Sequence, residues 1–140
     1  MSESIQENQA EGCLFCARED QTLNRVLREN ELFYTRFDNF PSRPGHVELV
    51  PKRHVESFFD LTQPEVLAFY ALMAETRTAL LDAYAPDGFT IGVNEGKAAG
   101  RGVHHLHVHL IPRHIGDVPD PRGGIRRALP NGDPDLWRAE

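Results

Sequence analysis

The run His104-His105-Leu106-His107-Val108-His109-Leu110-Ile111-Pro112-Arg113 sets His105, His107 and His109 in strict alternation with Leu106, Val108 and Leu110. On a β-strand successive side chains point to opposite faces, and residues two apart lie about 6.6–7 Å apart along one face. The pattern predicts a strand with three imidazoles in a row on one side and an aliphatic side turned to a core. That demands a sheet, with apolar backing behind it and a reachable surface in front. Imidazoles in such a row act as nucleophiles, proton carriers or metal ligands near neutral pH. Four of the seven histidines fall in this stretch, so that chemistry is concentrated on one strand.

Elsewhere the chain supplies the backing. Residues 64–84 predict one long helix, with Thr62 as its cap, Glu65 as the reciprocal capping partner, and Leu61 and Val66 as a hydrophobic staple. Val66, Phe69, Tyr70, Met73, Arg77 and Leu80 recur at helical spacing, and most of that stripe is expected to cover a sheet. Pro86 and Asp87-Gly88 stop the helix. Strands are expected at 25–29 and 32–38, with Asn30 at the hairpin turn, at 46–50 after a loop punctuated by Pro41, Pro44 and Gly45, and at 89–94. A glycine-rich loop, 96–102, joins the last of these to the histidine strand, and antiparallel pairing across it is the economical topology. Residues 1–11 read as a flexible tail, and 120–137 as irregular.

A length of 140 residues with 40% hydrophobic content predicts one domain with a modest core. The formal charge of −6 argues against a nonspecific nucleic-acid coat, because the phosphate backbone attracts a basic surface. A small anionic ligand stays compatible, since local charge can differ from the net. No apolar run reaches membrane-span length and residues 1–11 lack a signal-peptide core, so the expectation is a cytoplasmic protein with no membrane or nucleic-acid partner. The only cysteines, Cys13 and Cys16, have a Cys-x-x-Cys spacing that suits a metal or redox pair better than an extracellular disulfide framework. A redox pair usually opens a helix after a thioredoxin-type strand, and no such pattern surrounds this one.

Two chemistries are open to the histidine row. A His-x-His pair with a third ligand elsewhere can hold a catalytic zinc. Alternatively one imidazole attacks phosphorus while its neighbours orient it and handle protons. Gly96, Gly100 and Gly102 permit close backbone approach to phosphate oxygens, and Arg101 and Arg113 can add charge-assisted bonds. A plain hairpin turn accounts for the glycines equally well; their place directly before three histidines favours phosphorus chemistry.

The segment His105-Leu106-His107-Val108-His109-Leu110-Ile111 resembles the His-φ-His-φ-His-φ-φ signature of the histidine triad (HIT) nucleotide hydrolases and transferases. The resemblance extends to Asp38, the Pro-x-x-Pro-x-His pattern from Pro41 to His46, Val50-Pro51-Lys52-Arg53-His54, and Asn94-Glu95-Gly96 followed by Gly100. It implies an α+β fold: a HIT-like antiparallel sheet of about five strands with one long helix packed on it. The implied domain is 12–114, between a tail at 1–11 and an irregular extension at 115–140, in a homodimer whose sheet continues across the two-fold.

The resemblance also assigns roles. The implied catalytic set is His107, His109, His46 and His105, with His107 attacking the α-phosphorus to form a covalent nucleotidyl-histidine. His109 would contact the same phosphate and His46 would keep the cluster in order. Asp38 would accept ribose hydroxyls, and Asn94 and the Gly100 amide would hold phosphate oxygens. The implied reaction is hydrolysis of a dinucleoside polyphosphate, nucleoside phosphoramidate or adenylylated small molecule, as in the bacterial diadenosine polyphosphate hydrolase-like branch, releasing a nucleoside monophosphate. Two alternatives are a nucleotidyl transferase using the same intermediate and a non-catalytic nucleotide sensor or adaptor. The galactose-1-phosphate uridylyltransferase branch has His-Pro-His at its nucleophile, whereas this chain has His105-Leu106-His107, which favours the hydrolase.

Many bacterial HIT proteins bind a structural zinc through Cys-x-x-Cys and two histidines, and the matching residues are Cys13, Cys16, His54 and His105. This chain departs from the family in having Arg101-Gly102 where many members carry Gln and then Ser or Thr. That removes a hydroxyl donor and brings Arg101 towards the phosphate chain, where it is expected to favour a polyphosphate leaving group. Residues 117–126 resemble the C-terminal extensions of some bacterial members, read either as a surface tail or as a flap bearing Arg122 and Arg126.

Overall fold

The alternating segments form one antiparallel sheet in a computed structural model that describes residues 9–132. Its strands are β1 (Val26–Glu29), β2 (Phe33–Phe37), β3 (Val47–Pro51), β4 (Gly88–Gly92) and β5 (Val108–Arg113), in the order β1-β2-β3-β5-β4. All neighbours run antiparallel, including β4 and β5, and β5 is therefore flanked on both sides. Asn30 makes the first hairpin: its Oδ1 accepts from the Leu32 and Phe33 amides, while its Nδ2 donates to the Ala68 carbonyl of the helix at 2.9 Å. The expected α+β architecture is the observed one.

The helix α1 (Gln63–Tyr84) starts at a full capping box, in which Thr62 Oγ1 accepts from the Glu65 amide and the Glu65 carboxylate accepts from the Thr62 amide. Arg53 grips the same carboxylate with two bonds of 2.8 and 2.9 Å, so the helix start is fixed to the end of β3. One sheet face packs Phe33, Val47, Leu49, Val108 and Leu110 against Phe69, Leu72 and Leu80. Full burial of each such side chain stabilises by about 1.5–3 kcal/mol.

The buried line of α1 is Glu65, Phe69, Leu72, Thr76 and Leu80, not the expected stripe. Val66 is 43% exposed and lies off that line, and Tyr70 is 67% exposed. A polar residue, Thr76, holds a core-facing position because its hydroxyl donates to the Leu72 carbonyl at 2.7 Å. Phe69 and Leu80 belong to both lines, so the helix is turned by less than one residue's step of about 100°. Tyr70, Met73 and Arg77 then lie beside Phe89, Ile91 and Leu110, along the free edge of the sheet.

The histidine strand also begins later than its alternation suggests. Regular pairing with β3 starts at Leu49 opposite Val108, while the Leu106 amide donates to the Val55 carbonyl at 2.7 Å. His105 and His107 therefore sit in an extended lead-in, and only His109 lies within β5. The facing pattern survives, with Leu106, Val108 and Leu110 buried together. Before β3, Gly45 has φ +86°, and a Cβ there would come within 2.8 Å of the Tyr84 ring, so only glycine brings His46 in this close to the helix end.

The C-terminal segment contains a short 3-10 turn, Gly124–Ala128. Most of the expected 1–11 tail, and residues 133–140 of the expected 115–140 extension, lie outside the described residues. Among the described residues no helix is long and apolar enough to cross a membrane.

Candidate active site

The face opposite α1 collects the polar groups. Arg36 on β2 stands opposite Glu48 on β3, and Glu48 opposite His109 on β5. His46 enters just before β3 and His107 just before β5. The His107 and His109 rings are 5.2 Å apart and those of His46 and His109 5.1 Å. Phe15, from the segment ahead of β1, lays its ring 4.9 Å from His107 and 5.9 Å from His105 and walls one side.

Hydrogen bonds fix which nitrogen carries each proton. The Ser42 amide donates to His46 Nδ1 at 3.1 Å, so the proton of neutral His46 is on Nε2, 2.9 Å from His109 Nδ1. His109 Nδ1 is then an acceptor, and its own proton sits on Nε2. His107 Nδ1 lies 2.8 Å from the His105 carbonyl oxygen, which can only accept, so Nδ1 is protonated and Nε2 keeps its lone pair. Burial pushes all three imidazoles down: His46, His107, and His109 to about 4. At His109 the neighbouring rings add to burial, and Asp38 opposes it. The rings are neutral at physiological pH.

Asp38 Oδ2 lies 3.4 Å from His46 Nε2 and 3.8 Å from His109 Nδ1, and Oδ1 accepts from the Phe40 amide at 2.7 Å. Burial alone would raise its carboxyl, but the Phe40 amide and His46 outweigh it and hold Asp38 below the ordinary range. Asn94 is exposed at the start of the 94–101 loop. The Gly100 amide closes a turn onto the Lys97 carbonyl at 3.0 Å. Arg101 donates to His104 Nδ1 at 3.2 Å, to the Glu56 carbonyl at 3.2 Å and to the Glu56 carboxylate at 3.4 Å. Arg113 is committed to Asp117 and Thr90. Thus the structure brings His46, His107, His109 and Asp38 together, while Asn94, Gly100 and Arg101 sit on the adjoining loop.

Sequence reasoning missed Arg36, Glu48 and Phe15. The first two did leave a signal, as opposite charges in the strands Phe-Tyr-Thr-Arg-Phe and Val-Glu-Leu-Val-Pro.

A second cluster adjoins the first. Cys13 Sγ is 3.3 Å from His105 Nδ1, and Cys16 Sγ is 3.3 Å from His54 Nδ1 and 3.5 Å from His105 Nδ1. The four donor atoms all lie within 4.8 Å of one another. His105 Nε2 faces the Pro51 carbonyl at 2.7 Å and must donate there, which turns the Nδ1 lone pair towards the sulfurs. Tetrahedral zinc with bonds of about 2.0–2.3 Å needs donors roughly 3.3–3.8 Å apart, so this set fits it.

Residues 19–116 match the HIT domain family. The chain belongs to the HIT family. It is 36% identical over 94 residues to the AP-4-A phosphorylase of Mycobacterium tuberculosis, covering 66% of this chain and 48% of that one. The chain thus spans about half the length of that relative. The bis(5'-adenosyl)-triphosphatase of Dictyostelium discoideum is 34% identical over 94 residues, 63% of each chain. The crystal structure of a zinc-bound histidine triad family protein from Mycobacterium smegmatis superposes with a TM-score of 0.68 at 31% identity, over 78% of this HIT chain and 84% of that one.

Proposed function

We propose that this HIT protein hydrolyses a dinucleoside polyphosphate, nucleoside phosphoramidate or adenylylated small molecule at its α-phosphate, through a covalent nucleotide on His107. One observation carries the reading: the His105 carbonyl holds the proton of His107 on Nδ1, leaving a neutral Nε2 with its lone pair beside His109. In the first displacement Nε2 bonds to phosphorus and the bond to the leaving group breaks; a phosphate leaving group departs as its anion and an amine takes its proton from solvent, to which the attacking water later returns one. In the second, water attacks phosphorus, the P–N bond breaks, and a nucleoside monophosphate leaves. His109, oriented by His46, donates from Nε2 to a phosphate oxygen and stabilises the charge that shifts there.

Asp38 accepts the ribose hydroxyls. Asn94 holds a phosphate oxygen, as does the Gly100 amide once released from Lys97. Arg101 reaches a polyphosphate leaving group by exchanging its bonds to Glu56 and His104. The names of the two relatives above support a dinucleoside polyphosphate as substrate and a diadenosine polyphosphate hydrolase-like branch. A transferase reading is favoured by the word phosphorylase in one of them: phosphate would replace water in the second step.

Zinc on Cys13, Cys16, His54 and His105 supplies a structural cross-link between the N-terminal segment and the sheet. The same reading makes the protein a cytoplasmic homodimer with a HIT domain at 12–114. Arg122 and Arg126 in the extension are candidates for a covering flap. The unpaired edge of β4, with exposed Ile91 and Tyr70 next to it, supports pairing with a second copy there.

The test is a quenched reaction with diadenosine tetraphosphate, followed by peptide mass spectrometry. Nucleotide on His107 is the expected result, and nucleotide on any other residue rejects the assignment. His107→Ala is expected to lower turnover roughly 10³-fold or more while retaining nucleotide binding. Running the assay with added phosphate separates the two outcomes: adenosine monophosphate marks hydrolysis, and adenosine diphosphate marks phosphorolysis.

A further inference from the structure

The Arg36–Glu48 pair has no part in the chemistry above, yet it runs across the sheet straight into the histidine cluster. Both side chains are almost fully buried, at 2% and 4% exposure. The guanidinium is fully engaged. Its Nε donates to Asn24 Oδ1 at 2.6 Å, Nη2 to the Leu23 carbonyl at 2.9 Å and Nη1 to Glu48 Oε1, and it lies 4.9 Å over the Phe15 ring. Arg36 is therefore a fixed, satisfied charge. Glu48 is not: its other oxygen, Oε2, lies 4.0 Å from His109 Nδ1, and Asp38 Oδ2 lies 3.8 Å from the same nitrogen, so the two carboxyls share one imidazole edge.

The buried Glu48 carboxyl, paired with Arg36, and the half-buried Asp38 carboxyl on the same imidazole edge cannot both ionise cheaply. The groups that face Glu48 are Arg36 and Asp38 from the β2 side, His46 from the start of β3, and His107 and His109 from the β5 side. The imidazoles offer no cation. His109 Nδ1 already receives the His46 proton, so adding a proton there sets two N–H groups against each other. A substrate phosphate at His107 and His109 brings further negative charge to this place. The carboxyl pair is the group left to absorb it.

Resting on the nucleotide reading above, we propose that Glu48 is a positioning residue that couples anionic-nucleotide binding to uptake of one proton. As the phosphate arrives, a proton from solvent bonds to the Glu48 carboxylate, which donates it in a hydrogen bond to Asp38. Asp38 thereby stays ionised and available to the ribose hydroxyls, and one negative charge is removed from beside the phosphate. Burial and Asp38 together push Glu48 up to about 7 in the free protein, against the pull of Arg36, so the proton is exchanged near neutrality. Between that pH and the higher value reached in the complex, one linked proton makes KM rise by up to about tenfold per pH unit, with little of the effect in kcat.

The experiment is an NMR titration of the full chain with ¹³C-labelled glutamate carboxyls, with and without adenosine monophosphate, the Glu48 signal being the one missing from Glu48→Gln. A midpoint near neutrality that moves upward with the nucleotide is expected. So is a KM for diadenosine tetraphosphate that rises with alkaline pH in the native protein and is flat in Glu48→Gln. Because Glu48→Gln leaves Arg36 short of a counter-ion, Arg36→Leu/Glu48→Leu serves as a second variant without an orphaned charge, and the same flattening is expected. If the nucleotide perturbs the His107 and His109 rings while the Glu48 carboxyl stays unmoved, or if KM rises equally in both variants, the inference is overturned and the nucleotide reading stands. If the nucleotide perturbs none of these groups, the nucleotide reading falls and the inference falls with it.

Discussion

His109 is a histidine that the fold prevents from titrating in its usual range, and stability carries the cost. Its value of about 4 in the folded protein lies below the ordinary 6.5, chiefly through burial. Between those values the unfolded chain binds a proton that the folded chain does not, so stability is complete above about pH 6.5 and declines as pH falls towards 4. By pH 5 about 2 kcal/mol of that stability is lost. Glu48, raised rather than lowered, works in the opposite sense as pH rises through 4.5 to 7. Because Glu48 offsets much of the native change, urea unfolding at pH 7 and pH 5 should show a change about 2 kcal/mol less unfavourable in His109→Asn than in the native protein; equal changes reject this role. The imidazole row was legible because a period of two needs no knowledge of neighbours. The Arg36–Glu48 contact was not, because it depends on the register of two strands, and Phe15 reaches His107 only through the folded N-terminal segment.

In α1, the start was readable and the rotation was not. Thr62, Pro64 and Glu65 act within one turn, so their spacing alone specifies the capping box. Which stripe faces the sheet is a tertiary outcome, decided when Thr76 satisfies its hydroxyl inside the helix and Tyr70 turns towards the edge. Thr62→Ala should cost about 1 kcal/mol in denaturant unfolding. Leu72→Ala should cost about 2–5 kcal/mol, whereas Val66→Ala should cost less than about 1. Similar losses at Leu72 and Val66 would restore the stripe expected from spacing. The strand order followed from alternation and short connections, while the late start of β5 reflects Val55 taking the Leu106 amide.

At the scale of the whole molecule, the proposed function rests on two junctions, the metal cluster and the β4 edge, each open to a direct test. Protein purified without added metal should contain about one zinc per chain, on the four-donor logic of closed sites. Cys13→Ser should lower Tm more than it lowers the rate at low temperature; a metal-free protein of equal stability and activity contradicts the zinc assignment. At the β4 edge, Ile91→Arg should shift the mass measured by light scattering from dimer to monomer, and an unchanged mass moves the interface elsewhere.

The first of these junctions has a consequence for inheritance. His105 gives its side chain to the metal cluster and its main-chain oxygen to His107, and the second gift does not depend on the first. A peptide oxygen is present whatever amino acid is encoded, so a codon change at 105 forfeits a candidate metal ligand and keeps the acceptor that sets the tautomer of His107. On the proposed function, a substitution at this position would weaken metal binding and folding while leaving the lone pair of His107 on Nε2.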